Sequence, residues 1–177
     1  MQYLLKKIST VTRENGLLIS DLESATVNRP FWTPNVILDF GRKPKINIGD
    51  QVIVEVSSCK KAQQHAIVGV FEIASNEWID SIGPYVDEHE QYKWRYAIHC
   101  KNLTIHYSNQ VKNLWDKLNP NPKDNPSLFY LDKLWASHEL GRIPYHGQGW
   151  AYASPQQAQK IINDILAKDI EISQNSN

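Results

Sequence analysis

The chain has 177 residues, with 19 Lys plus Arg against 19 Asp plus Glu, so its formal net charge is zero. A neutral chain of this length fits one domain whose core needs no staple, and it excludes a globally basic nucleic-acid binder, so any such binding must rest on a local patch. Two cysteines, Cys59 and Cys100, are too few and too far apart for a disulfide framework or a zinc ribbon.

Tyr3 to Ser9 reads as a first strand, and Leu17 to Leu22, after Asn15-Gly16, suits a short helix. The segment Thr26 to Pro34 breaks the pattern: Pro30 and Pro34 bracket Phe31 and Trp32, which forbids regular structure and holds the tryptophan on a stiff loop. Gly49-Asp50 after Asn47 makes a turn, and Val52, Ile53, Val54 and Val56 form a strand that ends at Ser57-Ser58-Cys59-Lys60-Lys61. The stretch from Ala66 to Leu103 organises the rest. A β-branched run, Ala66 to Ala74, carries Gly69 where a strand bends or meets close backbone. A return run passes through Tyr92, Trp94, Arg95, Tyr96 and Ile98, after a connection much longer than a hairpin needs, with an acidic tip at Asp87 to Glu90.

Val111, Leu114, Trp115 and Leu118 recur at helical spacing and predict a helix over 109–118, stopped by Asn119-Pro120. The run 125–134 is open between a short helix and irregular structure, and a glycine-containing bend surrounds Gly147 and Gly149. Ser154, Pro155 and Gln157 form a capping-box start to a last helix with Ala158, Ile161, Ile162, Ile165 and Leu166 on its apolar face. These elements predict an α+β domain around a curved sheet or small β-barrel with flanking helices, spanning 1–172, and a polar tail over 173–177. With no charged-then-apolar leader and no membrane-length apolar run, the expected location is cytoplasmic.

Four segments, RPFWTP, INIGDQVIVEV, the pair IVGVFEIAS and YKWRYAIHCKNL, and WASHELG, resemble in order and spacing an EVE domain of the PUA-like superfamily, the group that also contains YTH domains. They cover most of the chain from Arg29 to Leu166. The N-terminal strand departs from the pattern in lacking a tyrosine-tryptophan pair, and the stretch Tyr145 to Tyr152 lengthens the approach to the last helix. The resemblance implies a PUA-like fold and a binding module that holds a modified nucleobase, methylated or otherwise modified, flipped into an aromatic cage. The partner implied is DNA or RNA, with an effector such as a nuclease supplied by another chain and no cofactor.

By that resemblance Trp32 is the first candidate for the stacking face, with Trp94 and Trp135 as side walls. Thr33, Ser57, Ser58, Asn76 and His138 are candidate readers of the base edge, because hydrogen bonds discriminate where stacking tolerates any base. Arg29, Lys60, Lys61 and Arg95 are candidate phosphate contacts. Each has a plainer competitor: Trp32 as a plug at one end of the sheet, Trp94 and Trp135 as core rings, His138 as a buried structural histidine, the serines as a strand end and the cations as solvated surface. Trp78, Trp115 and Trp150 read as structural. Two alternatives stay open, a PUA-like RNA binder without modified-base specificity and a small ASCH-like hydrolase or nuclease using His138, Glu139 and Lys60. The chain carries none of the common hydrolase, phosphoryl-transfer or deaminase signatures.

Overall fold

The structure, a computed structural model, describes residues 1–10, 31–58, 65–80, 96–118 and 150–176. These form seven strands and two helices: β1 (Tyr3–Thr10), β2 (Asn35–Phe40), β3 (Gln51–Ser58), β4 (His65–Ile73), β5 (Ile79–Asp80), β6 (Tyr96–Asn102), α1 (Ile105–Leu118), β7 (Trp150–Tyr152) and α2 (Pro155–Asn175). The strands expected at 3–9, 52–56 and 66–74 are β1, β3 and β4. The return run is described from Tyr96 as β6, and β2 and β7 are additions to the sequence reading. The expected helix over Leu17 to Leu22 and the acidic tip Asp87 to Glu90 lie outside the described residues. Among the described residues no helix is long and apolar enough to cross a membrane.

All seven strands belong to one mixed sheet of order β2-β6-β4-β3-β1-β7, with β5 pairing β6 beside β4. Only β1 and β3 run parallel; the other pairs are antiparallel. The sheet is strongly curled into a half-barrel. The curl is visible in one contact: Lys6 of β1 and Phe40 of β2 are separated in the sheet order by β3, β4 and β6, yet the Lys6 ammonium lies 4.8 Å from the Phe40 ring centroid. Register partners define the concave face, on which Leu4, Val52, Phe71, Ile73, Ile98, Cys100, Val36, Leu38 and Phe40 are all buried. The opposite face presents Leu5, Ile53 and Val70, also buried, on the strands that α2 touches or adjoins. Its Ala158, Ile161, Ile162 and Ile165 are buried as the helical period predicts, with Leu166 half-buried.

β6 accompanies β4 only at Phe71 to Ile73, and α1 takes over the strand edge beyond. There the ladder between β3 and β4 slips by one residue at Val54/Glu55, a bulge that frees backbone groups around Val68. Side chains of α1 and its approach satisfy them: Val70 N–H donates to Thr104 Oγ1 (2.9 Å), Ser108 Oγ to the Val68 carbonyl (2.7 Å) and Tyr107 O–H to the Ile67 carbonyl (2.9 Å). The approach is so close that a Cβ on Gly69 would stand 2.6 Å from Ser108 Oγ and 2.9 Å from Thr104 Oγ1, which is why this strand position has no side chain. α1 begins at Ile105, earlier than its apolar spacing indicates, because Thr104, Tyr107 and Ser108 bind backbone rather than continue an apolar stripe. Its first turn is capped from α2, where buried Asp169 accepts the Tyr107 N–H at 2.7 Å; a carboxylate suits the positive end of the helix.

The turn between β2 and β3 is held by Asp50, buried, whose carboxylate accepts the Gln2 N–H (2.8 Å) and the Asn47 N–H (2.7 Å). Gly49 occupies the third turn position with φ +93°, open to glycine without strain. At the start of α2 the expected capping box is not closed by Ser154, which makes no side-chain capping bond. Pro155 at the first turn has no N–H to cap, and the Ser154 carbonyl accepts the first helical bond from Ala158 (2.9 Å). The helix continues through Ser173 to Asn175, into the polar stretch.

Candidate functional site

Trp32 sits on the short turn that leads from Phe31 into β2, and every part of that turn is anchored. Asn102 Nδ2 donates to the Phe31 carbonyl (2.6 Å) and Asn102 N–H to the Pro34 carbonyl (2.9 Å). Asn109 Nδ2 reaches the Trp32 carbonyl (3.4 Å), and Phe31 is buried against Phe71 with ring centroids 5.9 Å apart. Trp32 itself is half-buried and packs against the core with part of its surface open. Sequence reasoning expected a stiff platform from the flanking prolines; three hydrogen bonds from β6 and α1 make it one. Thr33 is beside it, and its hydroxyl donates to the Asn35 carbonyl at 2.8 Å, so its proton is engaged within the turn.

Asn109 also leads to a cleft. The outward face of α1, with His106, Asn109, Gln110 and Asn113, and the last turns of α2, with Lys168 and Glu171, enclose a polar groove of about 440 Å³. Lys168 and Glu171 pair along its α2 wall at 3.2 Å. Lys101, exposed on β6, is the register partner of Asn35 and stands next to the Trp32 turn, with Glu72 opposite it on β4. None of these residues was singled out from the sequence. The available signal was the polar stripe at 106, 109, 110 and 113, which reads as ordinary solvent face until α2 is placed beside it.

The remaining expected site residues do not gather at Trp32 among the described residues. Ser57 and Ser58 end β3, where Ser57 pairs with His65. The Trp32 turn is tied to Asn102, whose partner Phe71 is six residues further along β4, roughly 20 Å at strand rise. Asn76 is exposed in the link between β4 and β5, and β6 stands between that link and β2. Trp94, Trp135, His138, Arg29, Lys60, Lys61 and Arg95 lie outside the described residues, as do Cys59 and Glu139.

A second aromatic group occupies the opposite end of β2, a six-residue strand and so roughly 20 Å from Trp32. Trp78 packs edge-to-face on Phe40 (5.7 Å) and on Tyr96 (6.5 Å), and the Lys43 ammonium covers Tyr96 at 4.9 Å. Its rings are engaged with one another and with cations, which fits the structural reading of Trp78. Next to it Lys6, only 4 % exposed, has its ammonium pKa pushed down to about 8 by burial, partly offset by the negative charge of Asp39. Burial pushes the Cys100 thiol up to about 12, with Lys6 opposing, so this free cysteine is held as an unreactive thiol. Trp150, the register partner of Lys6, stands edge-to-face on Tyr152 (5.2 Å), with its buried Nε1 lacking a hydrogen-bond partner among the described residues. Among the described residues no group of three or more His, Cys, Asp or Glu is placed to hold a metal.

The chemistry available at the Trp32 turn is therefore that of a partly open indole on anchored backbone, beside hydrogen-bonding side chains and the exposed Lys101. No family model matches the chain, and no curated protein matches it.

Proposed function

We propose that this chain is a PUA-like half-barrel of the EVE type and a non-catalytic nucleic-acid-binding module, which holds one base, flipped from its strand, against Trp32 and prefers a modified base. The observation that carries the reading is the anchored Trp32 turn: an indole packed on the core with a minor part of its surface exposed, on backbone held by Asn102 and Asn109. A platform that loses no freedom on binding returns more of its stacking energy, and base stacking on an aromatic ring is worth about 1–3 kcal/mol. That offsets much of the few kcal/mol that flipping costs, and a methyl group on the base adds apolar contact. Lys101 beside the turn is the cation placed to contact a phosphate. Action on the bound strand would come from an effector on another chain.

The test is binding of the protein and of Trp32→Ala to short labelled DNA and RNA strands carrying unmodified, methylated or hydroxymethylated cytosine, or methylated adenine, at one fixed salt. The expected result is a preference for one modified base, with the affinity for that strand falling roughly 5- to 150-fold in Trp32→Ala, the range that 1–3 kcal/mol of stacking gives. Equal binding of every strand, unchanged in the variant, would remove the flipped base from the reading.

A further inference from the structure

We infer that the cleft between α1 and α2 holds a ribose of the bound strand, so that this chain discriminates RNA from DNA through the 2′-hydroxyl. The inference rests on the nucleobase reading of Trp32 and adds the sugar class to it. Continuity comes first: Asn109 lines the cleft and its side-chain amide also donates to the Trp32 carbonyl (3.4 Å), so one residue of α1 borders both the groove and the Trp32 turn. A base stacked there has its own or its neighbour's sugar within reach of the groove.

The lining then selects among the parts of a nucleotide. Among the described residues no aromatic ring lines the cleft, so these residues offer a base no stacking surface. A phosphate is disfavoured on three counts: Lys168 is committed to Glu171 at 3.2 Å, the last turn of α2 carries no basic residue, and a helix C-terminus is the negative end of its dipole. What remains are His106, Gln110 and Asn113 of α1, which donate and accept, and Ser176, whose hydroxyl donates to the Ile172 carbonyl at 2.8 Å and leaves its oxygen as an acceptor. Side-chain amides and hydroxyls that both donate and accept match a sugar hydroxyl, which does the same, and the 2′-hydroxyl is the group by which a protein tells RNA from DNA at a given site. A volume of about 440 Å³ lies within the range of small-molecule sites.

The experiment measures binding of matched uracil-containing strands that differ only at the 2′ position, RNA, 2′-deoxy and 2′-O-methyl, to the wild-type chain, to Gln110→Ala/Asn113→Ala and to Trp32→Ala. Asn113 is exposed and Gln110 half-buried, so circular dichroism and the unfolding midpoint serve as the fold check. The expected result is RNA bound roughly tenfold more tightly than the 2′-deoxy strand, from one or two hydrogen bonds to the hydroxyl. In the double variant the ratio falls to near one with deoxy binding retained, whereas Trp32→Ala weakens both strands alike. Equal affinity of the wild type for RNA and DNA, or a ratio that survives in the double variant, overturns the ribose site and leaves the Trp32 reading standing. Failure of the wild type to bind any strand overturns that reading, and this one with it.

Discussion

Lys6 offers the sharpest test of how the curled sheet closes. Its ammonium is buried over Phe40, and burial lowers its pKa from 10.5 to about 8. At about 1.4 kcal/mol per pH unit, keeping that proton in the folded state below pH 8 costs roughly 3 kcal/mol relative to the unfolded chain. The sign follows from proton counts: between pH 8 and 10.5 the unfolded chain carries the proton and the folded one does not, so the stability contributed by this group rises with pH across that window. Cys100 works against it. Its pKa is raised from 9.0 to about 12, so between those values the folded state keeps a proton that the unfolded state releases, and stability falls. The pair together predicts a rise from pH 8 to 9, near cancellation from 9 to 10.5, and loss above. Lys6→Met keeps the aliphatic stem, removes the charge and leaves partly exposed Asp39 to water, at the loss of a cation–π contact worth about 0.5–2 kcal/mol. Urea unfolding of wild type, Lys6→Met and Cys100→Ala at pH 7, 8, 9 and 10 isolates each contribution as a difference. Lys6→Met should be about 1–3 kcal/mol more stable at pH 7, with that advantage shrinking steadily by pH 10. A difference independent of pH would refute the buried-ammonium argument, and with it the placement of Lys6 inside the curl.

Two further perturbations test the anchors of the site. Gly69→Ala drives a Cβ into Ser108 Oγ and Thr104 Oγ1 and should cost about 1–3 kcal/mol by denaturant titration; removing the nearer atom with Ser108→Ala should make the double variant less destabilised than the sum of the two single changes. Strict additivity would mean that α1 does not approach β4 there. Asp50→Ala strands the Gln2 and Asn47 N–H groups and should cost roughly 2–4 kcal/mol, about half of which Asp50→Asn recovers by keeping one acceptor; a loss below about 0.5 kcal/mol would contradict the clasp.

The sequence by itself determined the elements whose information is local. Short apolar runs, β-branched in β3 and β4, marked β1, β3 and β4, and the spacing of Ala158, Ile161, Ile162 and Ile165 marked the buried face of α2, because strand and helix periods act over a few residues. The stiffness of the Trp32 turn was also legible, from its two prolines. β7 is only three residues long and leaves no periodic trace, and β2 follows a proline-broken segment that masks its alternation. Tertiary structure alone decided the rest. That Lys6 is interior follows from a sheet curled until β1 meets β2, a contact between strands far apart in sheet order. That Asp169 caps α1, and that the polar stripe of α1 becomes one wall of a cleft, follows from where α2 lies. A lysine in a strand or an asparagine on a helix has the same local pattern whether it faces water or another element. Its chemistry is set by what the chain brings opposite it, which a one-dimensional period does not encode.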